Sequence, residues 1–425
     1  MNYDESIEYI HSVYWKGTKL GLERIKALLE AIGHPESKLK FIHIAGTNGK
    51  GSTAAMLSSM LVQAGYRTGL YTSPYIVRFN ERMQIDGVPI SDEDLAEITT
   101  WIKPYADVLE NHPTEFEMVT AIALEWFARS ECEIVVLEVG MGGEFDATNA
   151  VSNTLVSVLT NIGLDHTQYL GDTVEEIAST KAGIIKPGST CVLYEQSPEV
   201  TRVISDVCAA RDVPLFIASM DALTPVSRDL TGQVFDWKGL RSLEIPLLGA
   251  HQLHNAATAL TVIETLTELG MQISEESIRR GLRKTAWPGR FQVVGEKPLF
   301  LIDGGHNPQC LDALTKALQD YLPGRKAVFL VGCMADKDYE NMFSPLAPFA
   351  ERFVTVTPDN PRALRAEELA MYLSAWGLQA EAAESVEQGV RRAMEAAGED
   401  GVVCACGSLY MIADVLKGIE EARGR

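Results

Sequence analysis

Phe41-Ile42-His43-Ile44-Ala45-Gly46-Thr47-Asn48-Gly49-Lys50-Gly51-Ser52 passes from an apolar run into a glycine-rich turn, and Thr53-Ala54-Ala55-Met56-Leu57 continues it with helix-forming residues. Strand, glycine turn and helix in that order place successive backbone N–H groups and a helix N-terminus around an anion. Lys50 can then reach terminal phosphates, and the Ser52 hydroxyl can serve Mg²⁺. The general nucleotide-loop pattern puts Ser or Thr directly after the lysine and its first glycine further upstream. Here Gly51 intervenes, and Gly46 stands four residues before Lys50. ATP is a better reading of this stretch than an incidental turn. It implies an α/β fold whose parallel sheet binds nucleotide at the carboxyl ends of its strands.

Outward from this loop, short β-rich runs alternate with helical patterns, the mark of βαβ units. Strands are expected at 41–45, 68–71, 134–139, 155–159, 190–193 and 215–217, with helices at 22–29 and 116–127. A polar stretch with antiparallel strands follows, then a helix over 254–269. A second alternation has strands at 299–302, 327–331, 353–356 and 402–406, and Trp287-Pro288-Gly289-Arg290 interrupts the pattern between the halves. The expected organisation is a large P-loop, parallel-sheet ATPase domain (1–288), a linker (289–298) and a smaller Rossmann-like α/β domain (299–425).

Composition excludes several classes. The chain has 425 residues, too many for one ordinary core, and a formal charge of −21. That charge argues against nucleic acid or an anionic membrane as partner, since both need broad positive surface. No apolar run approaches the ~20 residues that span a bilayer, and the acidic start Met1-Asn2-Tyr3-Asp4-Glu5 has no signal-peptide character. Seven scattered cysteines make no disulfide framework. A cytoplasmic protein is expected.

Four further clusters have chemistry in their spelling. In Leu137-Glu138-Val139-Gly140-Met141-Gly142-Gly143 a carboxylate ends an apolar strand, where it can hold Mg²⁺ beside phosphates. Asn161-Ile162-Gly163-Leu164-Asp165-His166 follows another strand; His166 reads equally as a metal ligand or a loop histidine. Lys181-Ala182-Gly183-Ile184-Ile185-Lys186 gives Lys181 no special standing by itself. Asp303-Gly304-Gly305-His306-Asn307-Pro308 follows the second domain's first strand, where an Asp and a His suit ligand binding.

The ordered set of motifs resembles the folylpolyglutamate synthase and dihydrofolate synthase family of the Mur ligase superfamily. Matching segments extend over nearly the whole chain: Gly21-Leu22-Glu23-Arg24, Gly46 to Ser52, Thr72-Ser73-Pro74, Phe79-Asn80-Glu81-Arg82, Glu138 to Gly143, Asp146-Ala147-Thr148-Asn149, Asp165-His166, Lys181 to Lys186, His251-Gln252, Asn255-Ala256, Gly289-Arg290-Phe291, Asp303 to Pro308, and Cys406-Gly407-Ser408-Leu409-Tyr410. The resemblance implies an ATP-dependent ligase that joins L-glutamate to a carboxylate of a folate or of dihydropteroate through an acyl phosphate. It implies two Mg²⁺ ions and a monomer.

By the same resemblance, Thr47, Asn48, Gly49, Lys50, Gly51 and Ser52 hold the phosphates, and Asn255, Arg290 and Asp303 contact ATP. Ser73, Glu138, His166 and Lys181 match metal-binding positions, Lys181 as a carbamate. Lys50, Lys181 and His306 are the expected catalytic residues. His306 and Ser408 would lie near glutamate, and Phe79 and Arg82 near the folate. The implied site draws on both domains and needs closure to assemble, with Arg290 linking closure to the phosphates. Two positions depart from the pattern: Tyr75 stands where His is common, and Glu144 where Arg is common. Both bear on substrate choice more than on catalysis. The rival readings are a Mur-type ligase for another carboxylate and a nucleotide-binding protein without ligase chemistry.

Overall fold

The computed structural model describes residues 1–13 and 21–424. The chain divides into two compact units. The first comprises Met1–Thr224, Phe235–Glu244 and Leu253–Thr285; the second comprises Pro225–Val234, Ile245–Gln252 and Ala286–Arg425.

The first unit is built on eight strands: β1 (Phe41–Ala45), β2 (Thr68–Tyr71), β3 (Met83–Ile85), β4 (Val88–Pro89), β5 (Ile134–Glu138), β6 (Thr154–Leu159), β7 (Thr190–Tyr194) and β8 (Leu215–Ala218). Their order is β4-β3-β2-β5-β1-β6-β7-β8. β1 lies between β5 and β6 and is parallel to both. Every residue of β1 and β5 is buried, as expected of parallel strands covered on both faces. One core cluster packs Phe41, Tyr71, Val135 and Leu137 with the helix Glu115–Arg129; another packs Ala45, Leu159 and Leu193 with the helices Val174–Ala182 and Pro198–Ala210. In-register pairing of Ile44 with Glu138 and Ala45 with Leu159 brings the loops after β1, β5 and β6 to one edge of the sheet.

The β3–β4 hairpin was not anticipated from the sequence. Asp86 and Gly87 both have positive φ (53° and 81°), the geometry of a two-residue hairpin turn, and the pair adds two antiparallel strands beside β2.

A three-stranded sheet, β9 (Leu223–Asp229), β10 (Gly232–Trp237) and β11 (Leu240–Ile245), has the order β11-β10-β9. The second unit's sheet contains β12 (Gln292–Glu296), β13 (Leu299–Asp303), β14 (Ala327–Val331), β15 (Ala350–Thr355), β16 (Ala380–Ala382) and β17 (Val402–Cys406), in the order β12-β13-β17-β14-β15-β16. All neighbours are parallel except β12, which runs antiparallel to β13. Residues 289–298, read as a linker in the sequence, therefore carry an edge strand of this sheet. Its half-buried, glycine-containing sequence Gln-Val-Val-Gly-Glu lacks the apolar density that marked the other strands.

Candidate functional site

The loop after β1 is held by the loop after β6. The backbone N–H groups of Thr47 and Asn48 both donate to the Asn161 carbonyl, at 2.7 and 3.2 Å. Thr47 Oγ1 donates to the Gly163 carbonyl and accepts from the Gly163 N–H, at 3.0 and 3.1 Å. The first two amides of the expected phosphate loop are thus directed into the protein. The helix Lys50–Gln63 starts at Gly49, which has no side-chain cap. The first amides of that helix, at Lys50, Gly51 and Ser52, have no intrahelical acceptor by helix geometry, and the helix dipole adds positive potential there. Gly49 sits at φ 87°, and a Cβ there would overlap the Asn255 Oδ1. Asn255 therefore packs directly on the loop, as only glycine permits.

Two lysines converge on one carbonyl. Lys50 Nζ donates to Gly46 O at 3.1 Å and to Thr47 O at 3.3 Å, while Lys181 Nζ donates to the same Gly46 O at 2.9 Å. Lys181 is 4% exposed. Burial, and then the charge of Lys50, lower its pKa from the usual lysine range to about 7; Asp165 and Asp146 oppose the shift. The close approach of the loop after β5 helps bury it, since a Cβ on Gly143 would lie 2.7 Å from the Lys181 carbonyl.

At the end of β5, Glu138 is buried and accepts from the Ser73 N–H at 3.3 Å, so these two expected metal positions meet. His166, on the loop after β6, is exposed, at φ 51°, with its N–H donated to Asp165 Oδ1 at 2.9 Å. Among the described residues, no group of three His, Cys, Asp or Glu side chains is arranged to hold a metal ion.

Asp146 stands in the Asp146-Ala147-Thr148-Asn149 motif without a role that the sequence assigns. It is buried, and Oδ2 accepts from Met141 N–H at 2.9 Å while Oδ1 accepts from Thr148 N–H and Oγ1 at 3.0 and 2.6 Å. Burial raises its pKa against those hydrogen bonds. Thr148 Oγ1, having donated to Asp146, accepts from His43 Nε2 at 2.9 Å. Burial lowers the His43 pKa to about 3, so its ring is neutral and carries the proton on Nε2. This chain of contacts fixes the glycine loop 140–143. The aspartate-x-threonine spelling of a helix cap was the available signal.

In the second unit, Asp303 ends β13 and is nearly fully buried. Its Oδ2 accepts from Phe291 N–H at 2.9 Å and its Oδ1 from Gly305 N–H at 2.7 Å. Burial raises its pKa, and the Arg290 charge opposes that. Gly304 N–H donates to the Gly289 carbonyl at 2.7 Å, so Asp303 fastens the Gly289-Arg290-Phe291 turn to the loop that bears His306. His306 Nδ1 donates to the Gly304 carbonyl at 3.0 Å. β13 and β17 are parallel and in register (Asp303 beside Cys406), and Gly407 N–H donates to Gly305 O at 3.1 Å. Ser408 thus follows β17 at the same sheet edge, buried, its Oγ accepting from Tyr410 N–H at 3.2 Å.

Phe79 is 4% exposed and belongs to the main core cluster of the first unit, so its ring is chiefly a packing element. The Arg82 guanidinium lies over the rings of Tyr75 and Phe79, at 5.2 and 5.4 Å from their centroids. Tyr75 thereby supplies a cation–π platform at the departure position. Glu144 is exposed and donates its N–H to the Thr180 carbonyl at 2.9 Å.

Two family models match the chain: the Mur ligase middle domain over residues 44–263, and the Mur ligase glutamate ligase domain over residues 289–409. The dihydrofolate synthase/folylpolyglutamate synthase of Bacillus subtilis is 37% identical, covering 98% of this chain and 98% of its own. The chain belongs to this branch of the Mur ligase family. The folylpolyglutamate synthase of Lacticaseibacillus casei is 36% identical over 86% of this chain and 87% of its own. Among solved structures, the Escherichia coli family member in complex with DHPP and ADP superposes with a TM-score of 0.87 at 32% identity, covering 100% of this chain and 99% of that one. The Mycobacterium tuberculosis folylpolyglutamate synthase with ADP and AMPPCP gives a TM-score of 0.89 at 30% identity, covering 100% and 99%. Family membership accounts for the α/β architecture of both units. No helix among the described residues is long and apolar enough to cross a membrane.

Proposed function

We infer that this chain is an ATP-dependent ligase that adds L-glutamate to the terminal carboxylate of a folate, and to dihydropteroate as well. The observation that carries this reading is the meeting of Lys50 and Lys181 at Gly46 O beside an uncapped helix N-terminus, where a polyphosphate would lie, with neither lysine in an ion pair with a carboxylate among the described residues. A carboxylate is a poor acceptor for amines because its leaving group would be oxide. Transfer of the γ-phosphoryl group makes an acyl phosphate and ADP; the glutamate amine then attacks the carbonyl, and phosphate leaves.

The chain's part in this chemistry is positioning and charge neutralisation. The amides of Gly49 to Ser52 and the Lys50 ammonium face the phosphates, with Thr47 and Asn48 bracing the loop. Asn255, Arg290 and Asp303 contribute to ATP binding, the last by holding the turn that carries Arg290. Glu138 and Ser73 offer oxygen donors suited to a hard divalent cation, with the His166 nitrogen as a further candidate donor, and Mg²⁺ bound there would draw charge from the phosphates. Lys181 as an amine is no ligand for such an ion. With a pKa of about 7 it has a neutral fraction able to add to CO₂, giving a carbamate and a proton, and the carbamate oxygens complete the donor set. Arg82 and Tyr75 offer a stacking surface for the pterin, with Phe79 packed behind them. His306 and Ser408 are assigned to glutamate. We place the enzyme in the cytoplasm as a monomer, a setting suited to seven free cysteines.

The test supplies ATP, Mg²⁺ and glutamate with dihydropteroate in one reaction and tetrahydrofolate in another, with mass spectrometry of the product and a count of ADP. Glutamyl addition with one ADP per product is expected in both reactions. Product from tetrahydrofolate alone would remove the dihydropteroate activity, and product in neither would overturn the reading.

A further inference from the structure

The segment 160–162 continues β6 beyond its last paired residue and forms the wall against which the phosphate loop rests. On one side its Asn161 makes an isolated antiparallel bridge with Asn48, and its carbonyl takes the N–H groups of Thr47 and Asn48. On the other side β7 pairs with β6 as far as Val192 beside Val158 and Leu193 beside Leu159. Beyond Tyr194 the β7 backbone ends, and a side chain takes over. Gln196 Oε1 accepts from Ile162 N–H at 2.8 Å, and Gln196 Nε2 donates to Thr160 O at 3.4 Å. Its amide occupies the place of a peptide group in a further strand, and this orientation of the amide matches both the donor and the acceptor.

We propose that Gln196 is a positioning residue for nucleotide binding: its side-chain amide extends the sheet by one pairing and so fixes the wall 160–163 that aligns the phosphate loop. The inference rests on the assignment of that loop to ATP. The path is short and each link is a hydrogen bond. Gln196 sets Ile162 and Thr160; Asn161 sets Thr47 and Asn48; Gly163 clasps the Thr47 hydroxyl from both sides. The same segment leads into Asp165 and His166, so the origin of that loop is fixed by the same amide. Gln196 touches no reacting atom in this account. It acts through the backbone of Thr47 and Asn48, which braces the loop.

Gln196→Met keeps the length and removes both hydrogen bonds. ADP affinity, read by calorimetry, is expected to fall about tenfold, the worth of one or two hydrogen bonds in a binding-competent geometry. The Ile162 amide should exchange with solvent faster, the KM for glutamate should stay within about twofold, and the thermal midpoint should move by less than about 3 °C. ADP affinity within about twofold of the parent would overturn the proposal. So would a loss of affinity matched by an equal rise in the glutamate KM and a fall in thermal midpoint, since that is general structural support. Gln196→Glu keeps the acceptor for Ile162 and should lose only about threefold in ADP affinity, which preserves the test if the Met variant does not fold. A parent that binds ADP but forms no glutamyl product defeats the proposed function while leaving this inference in place; a parent that binds no ADP defeats both.

Discussion

The loop after β1 and the loop after β13 look alike in sequence: each leaves a buried strand, passes through glycines and enters a helix of 14 residues. Their physics is opposite. After β1 the helix starts at an uncapped glycine, its first amides have no intrahelical acceptor, and two lysines, Lys181 buried and Lys50 half-buried, meet at the Gly46 carbonyl. After β13 the helix Pro308–Tyr321 starts at Asn307, whose side chain accepts from Cys310 N–H at 3.0 Å, and Pro308 has no N–H to offer. Of that second loop's amides, Gly305 N–H is taken by the Asp303 carboxylate and Gly304 N–H by the Gly289 carbonyl. Glycine content therefore does not make a phosphate cradle. The N-cap residue and the sign of the buried charge decide, and the first loop is open to a polyanion while the second is closed around its own carboxylate.

The strongest way to break this contrast is Lys50→Ala. Removing a cation that acts on developing phosphate charge should lower kcat by roughly 10² to 10³-fold while the thermal midpoint barely moves, because Lys50 donates only to loop carbonyls. Steady-state kinetics beside a melting curve check it, and near-parent turnover would mean that the first loop holds no phosphate. The converse change is Asp303→Asn. An amide cannot accept from both Phe291 and Gly305 without opposing one of them, so a loss of about 2 kcal/mol in the second unit is expected, visible as a lower melting temperature. An unchanged midpoint would show that the carboxylate does not close that loop.

How much of this was legible in the sequence depends on which forces were local. The strands β1, β2, β14 and β17 were read to the residue, and for β1, β14 and β17 the reason is that buried parallel strands are nearly continuous apolar runs. The β12 edge strand and the β3–β4 hairpin were missed: one is half-buried and lacks that run, and the other announced itself only through Asp86-Gly87. Among candidate site residues, the place of Lys50 at the head of a helix after β1 was readable from its loop. The state of Lys181 was not, since its lowered pKa comes from burial and from Lys50, 131 positions away in sequence. The service of Asp146 and Asp303 to backbone amides was equally hidden, since a motif gives an acid's position and not its hydrogen-bond partners.

A finer test of the charge contrast uses pH. An amine must be neutral to add to CO₂, and Lys181, with its pKa near 7, passes from about one-tenth neutral at pH 6 to about nine-tenths at pH 8. At fixed dissolved ¹³CO₂, the carbamate signal in ¹³C NMR should rise severalfold over that interval and be missing from Lys181→Met. A signal independent of pH, or one retained in the variant, would assign the modification elsewhere. The smallest effect is expected from Asn307→Ala, which removes the cap of the second loop's helix. A destabilisation of about 1 kcal/mol should appear in denaturant unfolding. No loss would show that the cap does not distinguish the two helices.

The most direct measurement is the fate of oxygen during turnover. With ¹⁸O in the terminal carboxylate of the folate substrate, attack of that carboxylate on the γ-phosphoryl group places one ¹⁸O in each phosphate released as the amide forms. Mass spectrometry of the phosphate should find one heavy oxygen per product. Phosphate free of ¹⁸O, alongside continued glutamyl product, would contradict activation of the carboxylate by ATP in this enzyme.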